Sequence, residues 1–432
     1  MDLKKTILLF LMISWLDVTA QETMYIPPAS TIHIGNKTPV GSFGTVINEG
    51  NLSIETNGKF YFLGKIFKNS FYAVMSDENL APNTKQGGTV IFQQPNILYG
   101  HLGQQLVESG FVDSLRSGPE FSNVIVNNSA GIYLVSDMSV QNKVTFQRGH
   151  VYLNQYIVAL GDKFNPGDIE GYDDTRYFVT GSGITGGSLK MRNLGSCCVV
   201  SFPIGLDNQN YTPVQLRNLG TTTDVSVRAF NNVYANGLSG PIVSDSILRL
   251  TWSLSTASPV ANDFEVVLQH DKKLETNSFS AARNGSFVSA LAGNTWDKPA
   301  SIPQPQAPGT ITSTFSITTA MMNARKLSLS SNPLYLTKKA TILKFPVSVP
   351  NVFSPNGDGI NDTWVLKFLE GNANCKVQIF DRYGNIVFNS TGYSTPWNGT
   401  LNGKPLPVST YYYIIDLKNG LKPVSGSVTI LK

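Results

Sequence analysis

One grouping of side chains able to hold a hard cation is PNVFSPNGDGINDTW, Pro350 to Trp364. Carboxylate and amide oxygens on a glycine-rich turn are the donors calcium takes. An EF-hand loop needs ligands at its positions 1, 3 and 5, glycine at 6 and a bidentate glutamate at 12. With Gly359 at the sixth position, Ser354, Asn356 and Asp358 fall on ligand positions, but Val365 occupies the twelfth, which excludes an EF-hand. The shorter set Asn356, Asp358 and Asp362 remains a calcium candidate. A second reading needs no ion: Asn and Asp side chains bond their own backbone in consecutive turns, and glycine supplies positive φ.

The other carboxylate-rich stretch is GDKFNPGDIEGYDDTRYF, with Asp162, Asp168, Glu170, Asp173 and Asp174. Two of these at a defined separation would make the acid pair of a glycosidase. A solvated loop between strands accounts for the same composition, because nothing in the spacing sets a distance. GSGITG, Gly181 to Gly186, satisfies G-x-G-x-x-G after a strand, yet the following GSLKMRN reads as another strand. No helix N-terminus would then face a pyrophosphate, so the segment is read as a turn. The four histidines His33, His101, His150 and His270 are isolated, and GLSGP around Ser239 lacks the G-x-S-x-G elbow. Protease, esterase and zinc chemistry have no support in the sequence.

Composition narrows the classes further. The chain has 432 residues, 33 of them basic and 29 acidic, and the net charge of +4 suggests no nucleic-acid partner. MDLKKTILLFLMISWLDVTA, residues 1–20, has two lysines, an apolar run and small residues at its end, the order of a cleavable secretory signal. No later apolar run is long enough to span a bilayer as a helix, so no transmembrane segment is expected after cleavage. Cys197, Cys198 and Cys375 cannot all pair within one chain. The adjacent pair opens CCVVSF, which reads as a strand, with one thiol inward and its neighbour on the other face.

The elements that position these groups are strands almost throughout. From residue 21 to 192, short apolar alternations such as GKFYFLG and NKVTFQRG are separated by Gly and Asn, which suits a β-solenoid-like region, with a sandwich as the alternative. Longer alternations from 193 to 345, including SILRLTWSLS, point to a central β-sandwich. Residues 346–432 contain two hairpins, one turning at Tyr383-Gly384-Asn385 and one at Lys418-Asn419-Gly420. Their length fits a small Ig-like β-sandwich, in which Tyr411 and Tyr413 share one face and Tyr412 takes the other. The chain is therefore expected to be all-β.

SPNGDGINDTW, VQIFDRYGNIVF, PWNGTLNGKPLPVSTYYYIIDL and the final GSVTILK occur in that order. The segment they occupy, about 347–432, resembles the gliding motility-associated C-terminal domain, a sorting domain of the type IX secretion system. The upstream strands are similar to uncharacterised β-rich surface proteins of gliding bacteria. The resemblance implies passage through the periplasm, recognition of this domain by the type IX translocon, and display on the outer surface or release. Because such domains are carried by surface adhesins and secreted enzymes alike and no catalytic motif stands out upstream, the expectation is an adhesin-like, non-enzymatic protein with a surface glycan or envelope protein as further partner and no cofactor beyond the calcium candidate. A solenoid lyase or hydrolase using the 162–174 carboxylates, or a carbohydrate-binding protein, is the alternative.

Overall fold

The computed structural model describes residues 23–75, 87–95, 103–244, 246–257, 263–300, 305–306, 309, 311–312, 319–328, 332–340, 349–369, 374–418 and 423–431. The secretory signal lies outside them, as do most of the Pro-rich connection Lys298 to Pro308 and residues 341–348. Nearly all regular structure is strand, distributed over several sheets.

In the N-terminal region the chain deals its strands alternately into two parallel sheets. One receives Thr23–Ile26, Thr45–Asn48, Ile66–Asn69, Gln105–Glu108, Ile132–Leu134, Val151–Tyr152, Phe178–Val179 and Ile204–Gly205. The other receives Pro39–Ser42, Lys59–Phe62, Thr89–Gln93, Phe121–Asn127, Met138–Arg148, Ile157–Leu160 and Ser188–Leu194. The first two passes also lay down Thr31–Ile34 against Asn51–Ile54. Period-two alternation explains why these short segments cohere. Phe60 and Phe62, Val90 and Phe92, Val124 and Val126, and Val144 and Phe146 point inward and are buried. Phe62, Phe67 and Phe92 meet edge to face at 5.4 to 6.0 Å.

The corners between strands are held by backbone chemistry. A Cβ on Gly64 would sit 1.9 Å from the Gly44 carbonyl oxygen of the preceding pass, so only glycine admits this spacing. Buried asparagines stack in register, the Asn48 amide donating to Asn69 Oδ1 at 3.0 Å and the Asn69 amide to the Ser109 carbonyl at 3.2 Å. Gln105 caps two further carbonyls, those of Phe62 and Gly64, at 3.0 Å each. These bonds satisfy polar groups that burial would otherwise leave at a cost of about 1–3 kcal/mol each.

Beyond Ser188–Leu194 the second sheet continues without a break but turns antiparallel, adding Thr223–Asn231, Leu250–Thr256, Leu334–Ala340, Ser286–Ala292 and Thr295–Trp296. A four-stranded antiparallel sheet accompanies it, ordered Val199–Phe202, Val214–Asn218, Asp263–Asp271, Ala320–Ser328. The division expected at residues 192/193 thus falls inside a strand, and one apolar core runs from Ile26 to Ala340. Trp252, fully buried with Leu248, Leu250 and Leu254, donates its indole N–H to the Thr212 carbonyl at 2.9 Å.

The cysteine expectation is corrected. The strand starts at Val199, one residue after the thiols, and both Cys197 and Cys198 lie exposed in the preceding turn. A turn has no inner face to bury either of them. Only Cys375 is buried.

Residues 349–431 have a core of their own. Its five-stranded sheet is ordered Val352–Phe353, Val424–Ile430, Thr410–Asp416, Lys376–Phe380, Ile386–Thr391. The described residues thus form one main sheet with the two-stranded piece Thr400–Leu401 and Lys404–Pro405 beside it, where the sequence suggested two facing sheets. Trp364 and Trp397 are fully buried against the sheet and bridge each other, Trp364 N donating to the Trp397 carbonyl at 2.8 Å. Tyr411 and Tyr413 point into this core while Tyr412 stays half exposed, as strand alternation requires.

Candidate functional site

The loop at Asn356, Asp358 and Asp362 folds on its own backbone. Both Asp362 carboxylate oxygens accept main-chain bonds, from Gly357 N at 2.7 Å and Gly359 N at 2.8 Å. Asp358 accepts from Ile360 N at 2.8 Å, and Asn356 accepts from Asp358 N at 3.1 Å. The two glycine N–H bonds hold the Asp362 carboxyl below its ordinary range. Gly357 and Gly359 both take φ of +85°, the left-handed region that lets the amides converge. The three calcium candidates are thus brought together, with their oxygens engaged as consecutive turns engage them. No cluster of three His, Cys, Asp or Glu side chains placed to hold a metal occurs among the described residues.

The carboxylates at 162–174 disperse. Asp162 accepts from Phe164 N and Asn165 N, closing its own turn. Asp168 and Glu170 lie on the short outer strand Asp168–Glu170, and Glu170 pairs with Lys143 at 3.1 Å. Asp173 is buried against Arg176. Burial alone would raise its carboxyl, but bonds from Arg176 and Thr175 offset that and hold it below its usual range. Asp174 is pushed the other way, by burial first and by Asp173 second. It shares a recess with Asp271, Lys273 and Tyr211. That recess holds about 40 Å³, room for one water and far short of a sugar.

A further ionic chain lies inside the antiparallel part. Fully buried Lys338 reaches His270 Nδ1 at 2.9 Å and donates to the Met321 carbonyl at 3.0 Å. His270 Nε2 meets Glu275 at 3.1 Å, and Glu275 accepts two bonds from Arg283 Nε, at 2.8 and 2.9 Å. Burial, with the neighbouring Lys338 second, pushes His270 down to about 4. Burial opposes ionisation of Glu275, but bonds from His270 and Arg283 outweigh it and set its carboxyl near 2. The chain is closed off by packing and ties strands together.

Among the described residues, a larger space lies on the outer face of the second parallel sheet. A groove of about 820 Å³ runs across Pro39–Ser42, Lys59–Phe62, Thr89–Gln93, Phe121–Asn127 and Met138–Arg148. Its size is that of a ligand site. In-register pairing places Lys59, Thr89, Asn123 and Lys143 in one row and Tyr61, Ile91, Ile125 and Thr145 in the next. Lys37, on the turn before Pro39–Ser42, adds a third ammonium group at the rim. Among the described residues no carboxylate lines the groove. None of these residues stood out in the sequence. The available signal was the repeat KFYF, TVIF, NVIV and KVTF, whose first and third positions, Ile91 excepted, stay accessible while the second and fourth are buried once the segments stack.

Residues 347–430 match the CHU_C type IX secretion signal domain. No curated protein and no solved structure is detectably similar to the chain. The matched segment is the same one that carries its own core and the five-stranded sheet. It marks the protein for export by the type IX machinery to the cell surface or the extracellular space.

Proposed function

From the premise that residues 347–430 are a type IX secretion signal domain, we propose that the body of the chain, residues 23–340, is an adhesin-like, non-enzymatic module. It holds a surface or substratum glycan in the groove of its parallel sheet. The observation that carries this reading is the contrast between two places among the described residues, the carboxylate-rich stretch and the groove. The carboxylates nominated for hydrolysis are engaged in turns and ion pairs or enclose a space fit for one water. The open groove offers hydroxyl, amide and ammonium groups in register, with a tyrosine ring at one end. Such groups pair with sugar hydroxyls, and none of them forms an acid pair.

The test is retention without turnover. Immobilised full-length protein is challenged with a set of purified polysaccharides, and the eluates are assayed for new reducing ends and unsaturated products. The reading expects at least one polymer to be retained intact. Release of shortened chains would favour a lyase or hydrolase instead. Retention only of envelope proteins from the same cells would move the contact from glycan to protein.

A further inference from the structure

The groove's charge specifies the polymer, an inference that rests on the glycan reading above. We infer that the site takes a linear acidic polysaccharide, carrying carboxylate or sulfate groups, laid across the strands. Parallel strands stand about 4.8 Å apart, a step comparable to one sugar unit of a linear chain. A chain crossing the sheet therefore meets one outward side chain of each row per sugar. In the first row the order is Lys59, Thr89, Asn123, Lys143, so the two ammonium groups stand about three steps, or roughly 14 Å, apart.

The charges are available to a ligand. Lys37 and Lys59 have no acidic partner among the described residues, and both are exposed. Lys143 is held by Glu170, both carboxylate oxygens at 3.1 Å, which fixes the far end of the row and leaves its charge partly offset. A neutral glycan gains nothing from two unpaired ammonium groups. An acidic one supplies the missing partners and keeps its hydroxyls for Thr89, Thr145 and the Oδ1 of Asn123, whose amide nitrogen already donates to the Gly87 and Gly88 carbonyls. Among the described residues of the groove, two cations without an acidic partner and one tyrosine are too few for the run of phosphate contacts and stacked bases that single-stranded nucleic acid uses.

The experiment compares polygalacturonate with its fully methyl-esterified form, and a sulfated galactan with its desulfated form, for binding to the full-length protein at low ionic strength. The expected result is binding of at least one acidic polymer about ten-fold or more tighter than its neutral counterpart, weakened by added salt. In the double variant Lys37→Gln/Lys59→Gln that preference falls by about ten-fold, while Lys367→Gln/Lys404→Gln, a matched charge loss in the C-terminal domain, leaves it unchanged. All four lysines are exposed, so folding is preserved. Equal binding of acidic and neutral forms, or equal loss in both variants, overturns the acidic assignment and leaves the glycan reading standing. Retention of single-stranded DNA as strongly as of either acidic polymer overturns it also. Binding of none of the four polymers overturns both.

Discussion

A chain ending at Pro423 has a C-terminal domain that no longer unfolds cooperatively and that protease strips from the rest of the protein. The lost strand, Val424–Ile430, is interior to its sheet, antiparallel to Thr410–Asp416 on one side and parallel to Val352–Phe353 on the other. It buries Val428 and Ile430 completely, worth about 1.5–3 kcal/mol each. It also removes the partner of a six-residue ladder, at about 1 kcal/mol net per hydrogen bond. Together these match the 5–15 kcal/mol that holds a whole domain. Circular dichroism melting and limited proteolysis of the full and shortened proteins check the result. An unchanged second transition in the shortened chain would mean that the strand adds nothing to the fold.

Acid destabilises the body of the protein from pH 6.5 downward, through its buried histidines. Burial pushes both His150 and His270 from 6.5 down to about 4. Each is neutral in the fold and takes a proton in the unfolded chain below pH 6.5. Their contribution to stability is therefore present above pH 6.5 and is lost as pH falls from there toward 4, by up to about 3 kcal/mol per histidine. Asp173 and Asp207 pull His150 the other way, and Glu275 does so for His270, but burial outweighs them. Lys338, driven down by its own burial, has the same sign and starts to lose stability from a higher pH. Glu275, near 2 in the fold, contributes above 4.5 and loses that contribution progressively as pH falls from 4.5 to 2, below most of the histidine window. Urea midpoints measured from pH 7 to 4.5 are expected to fall steeply, and less so in His150→Gln and His270→Gln. A flat profile in the native protein would contradict the neutral, buried assignment.

What could be read from the sequence divides along a physical line. The C-terminal domain was legible because its signals are local: a hairpin closed by Asp381 on Tyr383 and Asn385 amides, alternating tyrosines, and a glycine-rich loop bonded to itself. The all-β class was legible from alternation alone. The groove was not, because each strand contributes one or two outward residues and only the register of five strands assembles them. The continuity across residue 192 was hidden for a related reason. Ser188–Leu194 is parallel to one neighbour and antiparallel to the other, and its own side chains carry no mark of that change. The carboxylates of 162–174 looked dense in sequence, yet strand alternation and turn bonding sent them to different places.

Export through the C-terminal domain is the claim on which the rest stands, and cell fractionation tests it most directly. Native cells express the full chain beside one truncated before Val347, and periplasm, surface and medium are assayed for each. The full chain is expected outside the cell and the truncated chain in the periplasm. Equal delivery of both to the outside would contradict the account.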